Sequence, residues 1–282
     1  MRSVITVAFL FVSLSLYAQE GTTNNDTKEN NHTTFYNFHK PTHSVGLLVG
    51  GNFSFIESKQ KNTVGNMETS NAMFLSPQLT LKYSCIIKNG WGITVEVPFG
   101  SFYRNVIMDN NTPKDTVWSN GVTGKGENNY LGFNTYYSGI SLKASHVVSV
   151  HKNISLQSEM GLKWLPFIAS AKDILAESPI EYTLSDGTET DKLVYMNLTP
   201  SVSNYAIPDF AFSFNVLVHS KNPAHNFVFG INGNISFVDR IHFNYQTTDI
   251  LPTYLQSSGE FGWRTSSIGL HIGYQWMSGT KK

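Results

Sequence analysis

Apolar side chains fall on alternate positions in eight separate stretches of the chain between His43 and Met277. A two-residue period belongs to a β-strand, whose successive side chains point to opposite faces, and no extended stretch shows helical spacing. The last stretch, SIGLHIGYQW at 267–276, sets Ile268, Leu270, Ile272, Tyr274 and Trp276 against Ser267, Gly269, His271, Gly273 and Gln275. In the first, 43–56, Val45, Leu47, Val49, Phe53 and Phe55 oppose Gly46, Gly50, Asn52 and Ser54. Over 73–87, Leu75, Leu79, Leu81 and Tyr83 oppose Ser76, Gln78, Thr80, Lys82 and Ser84. Over 90–103, Trp91, Ile93, Val95, Val97 and Phe99 oppose Gly92, Thr94, Glu96 and Gly100. The stretch 132–149 sets Tyr136, Ile140, Leu142, Ala144 and Val148 against Gly139, Ser141, Lys143 and Ser145. In 153–167, Ile154, Leu156, Met160, Leu162 and Trp164 face away from Ser155, Gln157, Glu159, Gly161 and Lys163. Phe210, Phe212, Phe214, Val216 and Val218 mark 208–219, and Phe227, Phe229, Ile231, Ile235 and Phe237 mark 225–239.

Most of these strands exceed both the five or six residues usual in soluble sheets and the roughly 9 to 11 that a tilted strand needs to cross a bilayer. Their connectors alternate in length. Lys88–Asn89, Val150–Lys152 and Ser220–Ala224 are short, whereas 57–72, 104–131, 168–207 and 240–261 are long. Such alternation follows if all long connectors lie on one side of a membrane and all turns on the other. The pattern predicts an all-β protein: an eight-stranded antiparallel up-and-down transmembrane β-barrel over 43–277. Four long extracellular loops and three short periplasmic turns would join its strands, with both termini on the short-turn side and 278–282 as a periplasmic tail.

The polar faces support this placement. A soluble surface would be dense in Lys and Glu, but these faces are mostly Gly, Ser, Thr, Asn and Gln. An eight-stranded lumen has room for side chains only, so small residues suit it and its few charges must pair. Lys82, Glu96, Lys143, Glu159 and Lys163 are therefore expected to form one lumen network, with each glutamate contacting a lysine across the lumen. His271, Asn232 and Gln275 are the expected hydrogen-bond partners. On the apolar face, Tyr83, Trp91, Tyr274 and Trp276 cluster near the short turns and Trp164 near the long loops, as girdles at two headgroup zones.

Composition narrows the class further. The chain has 282 residues, of which 14% are charged, with twenty basic and twenty acidic side chains. It lacks the basic excess of a nucleic-acid binder, and the single cysteine, Cys85, excludes an intrachain disulfide framework. At the N-terminus, Arg2, the apolar run VITVAFLFVSLSL and a small residue at Ala18 have the order of a cleaved signal peptide, 1–18. Its apolar run falls short of the ~20 residues of a spanning helix. Residues 19–42, rich in Asn and Thr, are expected to form a flexible polar leader.

The signal ending LYAQE, the eight alternating segments and the final strand SIGLHIGYQW together resemble the outer membrane β-barrel domain family of Bacteroidota. More broadly they resemble the eight-stranded barrels of Gram-negative outer membranes. The resemblance covers about 43–277 and implies a cell outer-membrane location, with outer-membrane lipid as the surrounding partner. Many such chains end on an aromatic residue, whereas here MSGTKK follows Trp276. Some barrels of this size resemble lipid A-modifying enzymes that use a histidine and a serine. His146 and Ser138 are candidates, but eight residues of strand separate them by roughly 27 Å, and His146 lies beside a short turn. His271 fits the lumen network better than catalysis. His219 and His225 flank a turn and are too few to specify a metal.

No cofactor or catalytic residue is therefore assigned. The loop 168–207 holds six acidic residues against Lys172 and Lys192, net −4, with an Asp-Gly signal for a hairpin and no calcium-loop spacing. With 104–131 and its Trp118, this loop is the candidate contact surface for envelope partners. The expected function is a non-enzymatic barrel that anchors surface loops. The alternatives are a small passive pore, a lipid A-modifying enzyme, and an accessory barrel of a secretion or barrel-assembly machine.

Overall fold

The computed structural model describes residues 41–54, 59–64, 67–72, 75–110, 123–125, 129–151, 153–169, 174–183, 189–220, 224–247 and 258–278. The signal peptide, nearly all of the leader, Trp118, the Asp-Gly turn and most of the C-terminal tail lie outside them. In chain order the strands are β1 (Thr42–Ser54), β2 (Lys59–Val64), β3 (Met67–Ala72), β4 (Leu75–Ile86), β5 (Trp91–Asn110), β6 (Thr123–Lys125), β7 (Asn129–His151) and β8 (Ile154–Ala169). They continue as β9 (Ile174–Thr183), β10 (Glu189–Val202), β11 (Asp209–His219), β12 (His225–Ile235), β13 (Ile241–Thr247), β14 (Ser258–Trp263) and β15 (Ser267–Ser278).

Eight of these strands close a ring in the order β1, β4, β5, β7, β8, β11, β12, β15 and back to β1, antiparallel at every junction. Closure leaves these strands no open edge. They are the eight alternating stretches of the sequence, and burial alternates along them as the two-residue period requires. In β15, Ile268, Leu270, Ile272, Tyr274 and Trp276 are exposed while Ser267, Gly269, His271 and Gln275 are buried. The turn between β4 and β5 is closed by Asn89 and Gly90, whose φ angles of 61° and 79° are those that a tight hairpin favours and that Asn-Gly adopts at low cost.

Small inward residues allow neighbouring backbones to fit. Gly161 lies beside Lys143 on β7 and Ala211 on β11. A Cβ there would meet the Leu142 carbonyl and lie 2.6 Å from Lys143 Cα. Gly161→Val is expected to destabilise the barrel by about 1–3 kcal/mol through overpacking. Urea unfolding of vesicle-inserted protein would measure this, and an unchanged midpoint would show that the strands can part at no cost.

The long connectors differ from the expectation of four loops. Residues 57–72 contain β2 and β3, 168–207 contain β9 and β10, and 240–261 contain β13 and the start of β14. Residues 104–131 contribute the ends of β5 and β7 as well as β6. β3 continues the barrel sheet by pairing with Asn105–Asn110 of β5. The others form a second, six-stranded sheet in the order β2, β14, β13, β10, β9, β6. Within it, β9 and β10 are the arms of the hairpin expected around the Asp-Gly signal. The connectors pair with one another because a long segment held close to other backbone satisfies its N–H and C=O groups most completely in a ladder. β9 with β10 and β13 with β14 pair within one connector, but β2 with β14, β10 with β13 and β6 with β9 join different connectors, and no local pattern announces those pairings.

The two sheets share a core. Phe102 on β5, Tyr137 on β7 and Leu165 on β8 point inward near the long-connector end of the barrel and are buried with Ile241, Phe243 and Tyr245 of β13 and Phe261 and Trp263 of β14. Phe243 lies 5.0 Å from Phe261 and 4.6 Å from Trp263, centroid to centroid.

Candidate functional site in the barrel lumen

Four strands bring the charged residues of the lumen together. Lys82 Nζ on β4 lies 2.6 Å from Glu159 Oε1 on β8, and Lys143 Nζ on β7 lies 2.6 Å from Glu96 Oε2 on β5 and 3.9 Å from Glu159 Oε2. Glu159 also accepts hydrogen bonds from Thr94 Oγ1 (3.0 Å), Ser213 Oγ (2.5 Å) and Asn215 Nδ2 (3.5 Å). Lys82 donates to Gln157 Oε1 at 3.2 Å and Lys143 to Ser213 Oγ at 3.1 Å. The carboxylate of Glu159 is thus the hub. Removing charges from water is costly, and the cost is offset only where ionic and hydrogen-bond partners together saturate them, as they do here.

The other expected members are placed differently. The Lys82–Glu159 pair crosses the lumen, but Glu96 meets Lys143 on the neighbouring strand, since β5 and β7 are paired. Lys163 Nζ stands 5.0 Å from the centroid of the Tyr137 ring, in a cation–π arrangement. His271 joins at one remove: its Nε2 lies 2.6 Å from Asn215 Oδ1, and Asn215 reaches Glu159. Gln275 instead donates to Ser44 Oγ at 2.5 Å, and Asn232 Oδ1 finds no partner among the described residues. Gly230 leaves space for the histidine, because a Cβ on it would approach His271 Nε2 to 2.6 Å.

A second buried pair was not anticipated. Arg240, between β12 and β13, lies 2.8 Å from Asp209 at the start of β11, both side chains fully buried. The other Asp209 oxygen accepts from Thr265 (2.8 Å) and Asn234 (3.1 Å). Arg240 also donates to the carbonyls of Asn204 (2.8 Å) and Ile207. The pair fastens the connectors on either side of β11 and β12 to the barrel end. Asp209 was accessible to sequence analysis, since it shares the inward register with Ala211, Ser213 and Asn215; Arg240 lies beyond the alternating stretch and gave no such signal.

Apolar layers bound the network on both sides. On β7 the order is Tyr137, Lys143, Val147: shared aromatic core, network, and a second buried cluster. That cluster combines Val147 with Leu48, Ile86, Leu217, Val228 and Met277, from six of the eight barrel strands. Such a cluster spans the lumen near the short turns. Beside it, His219 Nε2 lies 2.8 Å from Ser155 Oγ and its Nδ1 lies 2.6 Å from Asn226 Oδ1. A serine, histidine and amide in this order resemble a nucleophilic relay, but Ser155 is 0% exposed and its hydroxyl meets no solvent. The trio ties together the ends of β8, β11 and β12.

On the outer face, Tyr83, Trp91, Tyr274 and Trp276 are exposed at the short-turn end, and Trp164 is half-buried. His146 packs its ring on Trp91, 4.4 Å between centroids, while Ser138 is in register with Phe99. The structure does not bring these two enzyme candidates together. Among the described residues, no group of three or more His, Cys, Asp or Glu side chains is placed to hold a metal ion. A closed ring with an apolar outer face and a hydrogen-bonded polar interior satisfies every strand within itself, which is the condition for β-structure to cross a bilayer.

No family model matches the chain. No curated protein matches its sequence. Among solved structures, it is similar to the outer membrane protein OprG from Pseudomonas aeruginosa, with 10% identity over 84% of this chain and 95% of that one, at a TM-score of 0.42. A major outer membrane protein from Thermus thermophilus is similar at 11% identity, covering 85% of this chain and 100% of that one, with a TM-score of 0.37. Ail, the attachment invasion locus protein of Yersinia pestis, is similar at 11% identity, over 84% and 99%, with a TM-score of 0.32. The fold assignment itself stands on the strand pairing described above.

Proposed function

We propose that the chain is a non-enzymatic outer-membrane β-barrel protein whose barrel anchors the second sheet at the cell surface, where that sheet contacts a ligand or partners in the envelope. The observation that carries this reading is the filling of the lumen. An apolar cluster near the short turns, a saturated ionic network and an aromatic core shared with the second sheet succeed one another along the barrel. A lumen so filled leaves little continuous water for a passive pore.

The sealed hydroxyl of Ser155 and the separation of His146 from Ser138 weigh against catalysis on lipid A. The long-connector end, where strands of 168–207 meet those of 240–261, offers the structured surface for binding. The signal segment LYAQE and the final strand favour a Bacteroidota-type small barrel, with the long connectors outside the cell and the short turns in the periplasm. Purified protein in planar bilayers is expected to give no stable channels, and lipid A mass spectra should not change when the gene is removed. Stable large conductance would overturn the anchor reading in favour of a pore; an altered acyl pattern would overturn it in favour of an enzyme.

A further inference from the structure

The buried charges of the barrel do not balance. Among the described residues, Lys82, Lys143, Lys163 and Arg240 stand against Glu96, Glu159 and Asp209, an excess of one positive charge with the histidines neutral. Three of the cations meet a carboxylate, Lys82 and Lys143 within the network and Arg240 at Asp209. Lys163 is enclosed too, at 6% exposure, yet among the described residues its ammonium meets the face of the Tyr137 ring and no carboxylate. Its partner in register on β11 is Asp209, but one oxygen of that carboxylate is held by Arg240 and the other by Thr265 and Asn234. A cation–π contact offsets only part of the cost of taking an ammonium out of water.

The strand on the other side of Lys163 supplies a second unspent donor. Ser141 on β7 is in register with Lys163, shares its inward face and is buried, and its hydroxyl has no hydrogen-bond partner among the described residues. Ser141 is in register with Glu96 as well, but Glu96 turns Oε2 to Lys143. The inward residues next along these strands, Gly139, Gly161 and Ala211, bring no side-chain acceptor. The Tyr137 hydroxyl is spent on Gln78 Oε1, at 3.0 Å.

We propose that Lys163 and Ser141 hold a small monovalent anion of about chloride size inside the barrel. Two neighbouring donors, one charged and neither matched by an acceptor, are the recognition set for an anion, and one negative charge balances the excess. Along the barrel the site lies between the aromatic core at Tyr137 and Leu165 and the ionic network at Lys143 and Glu159. That confinement selects a small inorganic ion over a long organic acid. The inference rests on the filled lumen of the anchor reading, but the two are judged separately: conductance tests that reading, and anion binding tests this one.

Protein folded in nonionic detergent would be unfolded by urea in sodium chloride or in sodium gluconate at equal ionic strength, gluconate being too large for the site. An ion bound only by the folded state acts by mass action, so the unfolding equilibrium constant should fall about tenfold when chloride reaches about ten times its dissociation constant. Ser141→Ala should move this response to about tenfold higher chloride, through loss of a hydrogen bond to a charged partner. Lys163→Met should abolish the response and, in gluconate, be at least as stable as the unmodified protein, because it removes an uncompensated cation. A lysine that serves only to pack on Tyr137 predicts instead that Lys163→Met loses the same stability in both salts. Crystals soaked in bromide should show an anomalous peak within hydrogen-bond reach of Lys163 Nζ and Ser141 Oγ, a readout that needs no variant to fold. Equal midpoints in the two salts, a chloride response that survives Lys163→Met, or no bromide at this position would overturn the proposal.

Discussion

Glu159→Ala is expected to lower the stability of the barrel by about 3–5 kcal/mol, the range for breaking a buried ion pair by removing one partner. The side chains of Glu159 and Lys82 are 0% and 1% exposed, so water cannot take over the lost interaction. Lys82 would lose its carboxylate, Lys143 would keep Glu96 as its one carboxylate partner, and Thr94, Ser213 and Asn215 would lose their common acceptor. The fall should appear as an earlier midpoint in urea unfolding of vesicle-inserted protein and as easier loss of the compact band in unheated detergent gels. Adding Lys82→Met to a Glu159→Leu background should restore more than half of the loss, because apolar replacement of a whole buried pair is often neutral. A single substitution that costs under about 1 kcal/mol would show that the lumen admits enough water to solvate the lysines.

Trp263→Ala should cost about 3–5 kcal/mol, the usual range for emptying a buried aromatic site. Trp263 packs against Phe243 and Phe261 in the core that joins β13 and β14 to the barrel residues Phe102, Tyr137 and Leu165. Its loss removes packing from the second sheet while leaving the ring ladders and the Lys82–Glu159 pair in place. Limited proteolysis should therefore cut within 168–207 or 240–263 while the barrel keeps its heat-modifiable migration. If the barrel and the second sheet were lost together in one transition, the shared core would be a structural requirement of the ring itself, and the second sheet could not act as a separable display module.

The contrast between the two sheets shows what the chain makes legible locally. Every barrel strand carries its own period-two pattern, so both faces of β4, β8 and β15 could be read one strand at a time. The short-turn cluster left a fainter trace. Leu47-Leu48-Val49, Val216-Leu217-Val218 and Phe227-Val228-Phe229 place an apolar residue on the inward face, breaking the polar alternation at Leu48, Leu217 and Val228. Read together, these three breaks mark an apolar layer; read singly, each looks like a strong strand. The run Ile241, Phe243, Tyr245 also alternates, but it lies inside a long connector, and while β14 follows it closely, its other partner, β10, comes from a different connector.

Side-chain partners across the lumen follow a different logic from side-chain faces. Alternation determines that Lys82, Glu96, Lys143, Glu159, Lys163 and His271 point inward and that Tyr83, Trp91, Tyr274 and Trp276 point outward, because a strand has only two faces. It does not determine height within the barrel, which depends on the stagger between neighbouring strands summed around the closed ring. That stagger brought Glu159 to Lys82, Lys143, Thr94, Ser213 and Asn215, left Gln275 with Ser44, and set Lys163 over Tyr137. It also joined Asp209 to Arg240 and folded four connectors into a second sheet, contacts that exist only once the ring has closed and distant segments share one end of it.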